Sequence, residues 1–423
     1  MLLIKGGRVI DPKSDLDEIL DIKIKDGKII GMGQFEENCE EDVQVIDASG
    51  KIVAPGLIDV HVHFRDPGFT YKEDIDTGAK AAAAGGFTTV VCMANTKPII
   101  DNVETLDYVV DKGSKALIHV LTTASVSKEF RGKELTDFEI LKSHGAVGFT
   151  DDGIPLEDDV LLKKALEEAK RLDMPISLHE ENPKYIKRSG VHEGKVAEQL
   201  QYGGASSLAE YIMIARDCML AVETGARLSI QHISAGESVE IVKMAQGLGG
   251  DIWAEVTPQH FSATEELVLT QGALARVNPP LRTEEDRMKL IQGLQDNVIQ
   301  IIATDHAPHS IEEKSVDIKE APSGMIGLET SLALGVTNLV REGHLTMIQL
   351  LEKMCVNPAK LYHLDKGYLA EGMAADIVIF DEEEKWTVET FASKACNSPF
   401  IGQELYGKVK YTICEGDIVY QDK

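Results

Sequence analysis

No Cys-x-x-Cys pair occurs in these 423 residues, and the six cysteines (Cys39, Cys92, Cys218, Cys355, Cys396 and Cys414) are widely scattered. That excludes a stapled disulfide framework and a compact cysteine-rich zinc module, and it fits a reducing compartment. A basic-then-apolar export segment is also missing from the N-terminal residues, so a cytoplasmic location is expected. Long hydrophobic runs are lacking as well. The most apolar stretch, residues 77–94, contains Lys80 and is broken by Gly85-Gly86, so it parses as a helix end followed by a strand rather than a membrane span. Positive charge is scarce: 43 Lys and Arg against 70 Asp and Glu give a net charge of −27. A field of that sign repels nucleic acid and anionic membranes, so neither is expected as a partner. A site for an anionic small molecule must then carry its own local cations. With 43% hydrophobic and 27% charged residues, the chain is globular and long enough for one large domain and a smaller one.

Hydrophobic period divides the chain. Residues 1–54 alternate apolar and polar in short runs, with Ile19–Lys25 and Lys28–Met32 joined by Asp26-Gly27, a strong hairpin signal. The C-terminal stretch repeats the style in Asp376–Phe380, Val409–Cys414 and Asp417–Tyr420. Neither half can bury a core alone, so residues 1–54 and 366–423 are expected to pack as one split β-sandwich domain. Residues 55–365 alternate strand and helix instead. Candidate strands are Leu57–Phe64, Phe87–Ala94, Ala116–Thr123, Ala146–Thr150, Pro175–His179, Leu228–His232, Asp251–Val256 and Val298–Ala303. Helical patterns such as Lys72–Ala84, Asp158–Leu172, Ser207–Thr224, Glu237–Gly247 and Glu284–Gln295 lie between them. This predicts an α/β fold, a (β/α)8 barrel of the TIM type, with insertions after strands five and seven.

Chemistry-bearing residues gather at the C-terminal ends of those strands. His61 and His63 sit two apart in an extended run, so both imidazoles face the same way. Asp152 follows strand four, His179 ends strand five, His232 ends strand six and Asp305 follows strand eight. Imidazole and carboxylate are the ligand set of Zn²⁺ and related ions. Taken singly, each aspartate reads as a helix cap or turn former and each histidine as a hydrogen-bonded strand end. Six such groups from five strands at one barrel face point instead to a metal site.

Two segments carry a family resemblance: His61-Val62-His63-Phe64-Arg65-Asp66-Pro67-Gly68, and Ala303-Thr304-Asp305-His306-Ala307-Pro308-His309 with Lys314 beyond it. Together with Met93–Thr96, Asn278–Arg282 and Pro322–Gly324, they resemble the dihydroorotases of the amidohydrolase superfamily. Many two-metal members bridge their ions with a carboxylated lysine after strand four, where this chain reads Phe149-Thr150-Asp151-Asp152-Gly153. It is similar there to a bacterial subgroup that uses an aspartate. Asp152 is the match by position, with Asp151 adjacent.

The resemblance implies a metal-dependent hydrolase that interconverts N-carbamoyl-L-aspartate and L-dihydroorotate in pyrimidine synthesis. It implies one or two Zn²⁺ per subunit, two being preferred, held by His61, His63, Asp152, His179, His232 and Asp305. Asp305 would also be the proton shuttle. Arg65, Asn95 and His309 would bind the substrate carboxylate, and Asn278 with backbone groups of Pro322 and Gly324 would read its amides. As plain residues, Arg65 could equally form a surface ion pair and the two asparagines could form turns. A homodimer and a complex with aspartate carbamoyltransferase are the implied assemblies. Other readings are a hydantoinase or allantoinase, and a catalytically dead barrel serving as an assembly partner.

Overall fold

A computed structural model of the chain describes residues 1–35 and 43–422. Cys39 lies outside the described residues. Eight short strands form the barrel: Leu57–Val62, Phe87–Cys92, His119–Thr122 continued by Ala124–Ser125, Phe149–Thr150, Ile176–Leu178, Leu228–Ile230, Ile252–Val256 and Ile301–Ile302. All neighbouring pairs run parallel. The third strand changes partner at Thr123, pairing with the second before it and the fourth after it. Closure comes through a parallel bridge between Val62 and His306, where the His63 N–H donates to the His306 carbonyl at 2.9 Å. Inside lie Ile58, Val60, Val91, Met93, Ile301 and Ala303, with Leu361 and Tyr362 in the same cluster.

Several strands stop short of the hydrophobic pattern. Leu228–His232 is ladder only to Ile230, because His232 takes φ +32°, outside any strand conformation. Helices keep closer to expectation, since their caps are written in the sequence. Asp158 caps Asp159–Leu172, Ser206 caps Ser207–Thr224, and Thr283 with Asp286 forms a capping box on Glu284–Gln295. The first barrel helix begins at Ile75 rather than Lys72, because Asp74 and Thr77 close a capping box there. Lys72 is thereby left in the loop after the first strand.

Both chain ends build a single eight-stranded sheet in the order Asp417–Gln421, Glu404–Cys414, Ile377–Thr387, Ile52–Pro55, Leu2–Asp11, Leu16–Lys25, Lys28–Gly33, with Gln44–Asp47 also paired to Leu2–Asp11. Ile52–Pro55, which no alternation announces, joins the two halves: it runs parallel to the N-terminal strand and antiparallel to Ile377–Thr387. The expected hairpin turns at Asp26-Gly27, with φ of +51° and +77°, the mirror-image geometry that Asp-Gly favours. Ile4, Ile22, Ile24, Val53, Ile377 and Ile413 bury the sheet's core face. No helix among the described residues is long and apolar enough to cross a membrane.

Candidate metal centre

The six ligand candidates converge just beyond the C-terminal ends of the barrel strands. His61 Nε2 lies 3.4 Å from Asp152 Oδ1 and 3.6 Å from Asp305 Oδ1. His63 Nε2 is 2.9 Å from Asp305 Oδ1 and 3.5 Å from Asp152 Oδ2. His179 Nδ1 faces His232 Nε2 at 2.9 Å and Asp152 Oδ1 at 3.9 Å. Donor atoms of His61, Asp152 and His232 lie within 4.8 Å of one another, and so do those of His61, His63 and Asp305. All six residues are buried.

Hydrogen bonds on the far side of three imidazoles decide where their lone pairs point. Asn95 Nδ2 donates to Asp152 Oδ2 at 2.8 Å, so its Oδ1 faces His63 and accepts from Nδ1 at 2.9 Å. Glu255 accepts from His61 Nδ1 at 3.2 Å, and Glu181 accepts from His179 Nε2 at 3.0 Å. In their neutral forms, these rings turn a bare nitrogen toward the Asp152 and Asp305 carboxylates. Acceptor then faces acceptor across 2.9–3.6 Å, an arrangement that a bound cation or a shared proton relieves. His61 Nε2 is buried with no hydrogen-bond partner. Far-side carboxylate and amide partners that fix tautomers are the usual outer shell of a histidine metal site. The donor set therefore fits a divalent ion such as Zn²⁺.

The carboxylates draw positive charge toward the centre of this cluster. Burial disfavours charge on Asp152, yet His61, His63 and His179 hold its carboxyl far below the ordinary range. Burial also opposes charge on His61, but Asp152, Glu255 and Asp305 lift its pKa well above the usual value. His232 is pushed down by burial and by His179 and His61, which keeps its lone pair available. Three residues at this face, Arg65, His232 and Asp305, have φ of +61°, +32° and +50°. Such left-handed backbone costs about 1–3 kcal/mol per residue and clusters where side chains must be aimed.

Asp151 and Asp152, adjacent in sequence, separate here. Asp151 turns away, accepting from Ser125 Oγ, Val126 N–H, Ser127 N–H and Ser127 Oγ.

Beside the cluster, a cavity of about 230 Å³ is lined by Arg65, Asn95, Asn278, His309, Ser323 and Gly324 together with five of the six ligand candidates. Among the described residues, Arg65 is the only lining lysine or arginine, its Nε donating to the Pro308 carbonyl at 3.3 Å. Asn278 Oδ1 is buried without a partner. Two expectations need adjusting. Pro322 does not line the cavity; its carbonyl accepts from Lys314 Nζ at 2.8 Å and so anchors the Ser323-Gly324 wall. Asn95, though a lining residue, spends its amide bridging His63 and Asp152.

Sequence reasoning passed over Glu255, Glu181, Lys72 and Asn397. Glu255, a lone acid inside the apolar run Ile252–Val256, was a readable signal. Asn397 carried none, although its side chain bonds His309 N–H, the Ala307 carbonyl and the Gly324 carbonyl.

Comparison with known proteins fits this geometry. The sequence pattern described as the amidohydrolase family matches residues 52–419. A dihydroorotase of Clostridioides difficile (strain 630) is 61% identical over 420 residues, covering 99% of this chain and 100% of the relative. One from Lactococcus lactis subsp. lactis is 58% identical over 425 residues, covering both chains fully. The chain belongs to the amidohydrolase family, and within it to the dihydroorotases. Among solved structures, the L-hydantoinase (dihydropyrimidinase) of Arthrobacter aurescens superposes with a TM-score of 0.89 at 28% identity, covering 99% of this chain and 96% of that one. The D-hydantoinase of a Bacillus sp. gives 0.86 at 26%, covering 100% and 96%. The barrel and its terminal sheet are thus shared across cyclic amidohydrolases, while full-length identity of 58–61% lies with the dihydroorotases.

Proposed function

We propose that this chain closes N-carbamoyl-L-aspartate to L-dihydroorotate and reopens it, a step of pyrimidine synthesis, in the cytoplasm. The observation that carries the site assignment is the facing of bare imidazole nitrogens and carboxylates beside a cavity whose one lysine or arginine is Arg65. His61, His63, Asp152, His179, His232 and Asp305 would hold two Zn²⁺. Zn²⁺ there supplies Lewis acidity, polarising a carbonyl and lowering the pKa of water from about 15.7 to about 7.

The chain's own groups do the rest. Arg65 offers the substrate carboxylate a planar fork, and the neutral His309 offers it a single N–H. Asn278 Oδ1 accepts an amide N–H of the ureido group or ring. In ring opening, Asp305 takes the proton of the attacking water and returns it to the leaving amide nitrogen as the C–N bond breaks. In closure, the ureido nitrogen forms that bond and Asp305 carries its proton to the departing oxygen, which leaves as water. Closure converts a dianion to a monoanion with uptake of one proton, so lower pH shifts the equilibrium toward the ring.

Parallel assays with dihydroorotate, hydantoin and allantoin, alongside metal analysis, test this reading. Turnover of dihydroorotate with about two Zn²⁺ per chain is expected. Preference for hydantoin would overturn it. The enzyme is taken to act as a homodimer and to associate with aspartate carbamoyltransferase, both checked by light scattering with and without that enzyme.

A further inference from the structure

His309 is held at both ring nitrogens. Its Nε2 lies 2.9 Å from the Ser323 carbonyl, which can only accept. Its Nδ1 lies 3.2 Å from Lys72 Nζ, which as an ammonium can only donate. Both contacts demand the same form, a neutral ring with its proton on Nε2. Lys72 comes from the loop after the first barrel strand and His309 from the loop after the eighth, so the contact also ties two walls of the cavity. Glu313 steadies the lysine, with Oε1 2.9 Å from Nζ.

We propose that Lys72 is a positioning residue that fixes His309 as a neutral Nε2–H donor facing the Ser323-Gly324 wall, where the substrate carboxylate is bound. The proposal rests on the reading of this cavity as the carboxylate site. In the closed-packed wall, Gly324 has φ +132°, and a Cβ there would lie 3.0 Å from His309 Nε2. The ring edge and the Gly324 backbone thus share one surface. Donation from Lys72 makes the opposite tautomer unfavourable, so the proton stays on the cavity side when substrate displaces the Ser323 bond. The consequence is discrimination by geometry: the site presents one guanidinium and one neutral donor instead of two competing charges.

The charged groups around His309 are consistent. Burial, then the cations Arg65, Lys72 and Lys314, push its pKa down to about 3. Glu313 Oε2, 3.5 Å from Nδ1, is the one facing carboxylate oxygen at that nitrogen among the described residues, and it is occupied by the Ser310 N–H at 3.0 Å. Asn397 Oδ1 accepts the backbone N–H of His309 at 3.0 Å and leaves the ring free.

The test combines ¹⁵N NMR of histidine-labelled, metal-loaded enzyme with KM for dihydroorotate, between about pH 5.5 and 8, a window around the ordinary histidine pKa. Wild type should keep the Nε2–H signature throughout. Lys72→Met should release it, so that His309 exchanges between its two neutral tautomers, while burial and Arg65 still keep the ring uncharged. Its KM relative to wild type should be about tenfold higher, the worth of one hydrogen bond to a charged group. Lys72→Arg should restore both readouts, and Glu313→Gln should shift them partway if the methionine variant folds poorly. An unchanged signature in Lys72→Met, or an unchanged KM, would overturn the proposal. A wild type inert toward dihydroorotate would defeat the functional reading instead, and the NMR signature would still judge Lys72.

Discussion

Two groups of histidine and aspartate sit at opposite ends of this barrel, and only one is short of a cation. At the N-terminal end of the third strand, donor atoms of His119, Asp376 and Cys414 lie within 4.8 Å of one another, much as in the metal cluster. There Lys366 Nζ donates to His119 Nε2 at 2.9 Å and to Asp376 Oδ2 at 2.8 Å. The chain has supplied its own ammonium. At the C-terminal end, His61, His63, Asp152 and Asp305 face one another with no lysine or arginine between them among the described residues, and His61 Nε2 has no hydrogen-bond partner there. Convergence of ligand types is therefore a poor guide by itself. What separates a structural knot from a metal centre is whether a side chain fills the cationic position.

The largest expected effect breaks the second cluster. His61→Ala or His179→Ala should strip bound metal and activity together while leaving a folded barrel, because these rings complete a coordination shell. The loss should exceed the about 10- to 100-fold that outer partners such as Glu255 would cost. Full metal content with near-normal turnover in either variant would end the assignment. Next in size, Asp305→Ala should lower kcat by roughly 10²-fold or more, the range for a lost proton shuttle. Arg65→Met should act mainly on KM, by about tenfold, as a lost charged hydrogen bond does. Equal and mild effects from both would show the roles to be misassigned.

Lys366→Met sharpens the comparison from the other side. It should leave kcat and catalytic metal untouched and destabilise the fold by about 1–2 kcal/mol, since Lys366 is partly solvated. The sign with pH follows from Asp376. Burial would raise its pKa, but His119 and Lys366 hold it well below the ordinary value. A carboxyl depressed on folding stabilises above its unfolded pKa of about 3.9 and loses that contribution as pH falls toward the folded value. The gap between wild type and variant in urea midpoints should therefore be widest near neutrality and narrow below about pH 4. A gap that widened in acid would contradict the pairing.

The barrel was legible because its signals are local: apolar runs at regular spacing, caps at Asp158, Ser206 and Thr283, and the Asp26-Gly27 turn. The strand Ile52–Pro55 was not, since a fully buried strand of four residues shows no alternation. Among site residues, the candidate ligands announced themselves as imidazoles and carboxylates at strand ends. Of their supporting partners, Glu255 alone left a signal, as a lone acid in an apolar run. Lys72 looked like the start of a helix and Asn397 carried no signal, and both matter only through contacts that cross more than 80 positions of sequence. Chain reversal brings them together, and no window of sequence contains it.

Asp151 and Asp152 give the smallest test, and it compares two carboxylates one residue apart. Four donors surround Asp151: Oδ1 accepts from Ser125 Oγ, Val126 N–H and Ser127 N–H, while Oδ2 accepts from Ser127 Oγ. Burial nonetheless pushes its carboxyl up to about 6. Asp151→Asn can keep the three bonds to Oδ1, and its amide can donate to the Ser127 hydroxyl, which accepts as readily as it donates. Full metal content and near-normal kcat are expected, since the bonds to Ser125, Val126 and Ser127 are kept. The pH sign differs from that of Asp376: an acid whose pKa rises on folding stabilises below its unfolded pKa of about 3.9, and that contribution is lost as pH rises through about 6. Replacing it by a neutral amide should therefore remove that stability loss above pH 6 rather than add one. Asp152→Asn, by contrast, takes an anion from among three imidazoles and should lower metal content measurably under the same dialysis. Equal metal retention by the two variants would mean that Asp152 is no more a ligand than its neighbour.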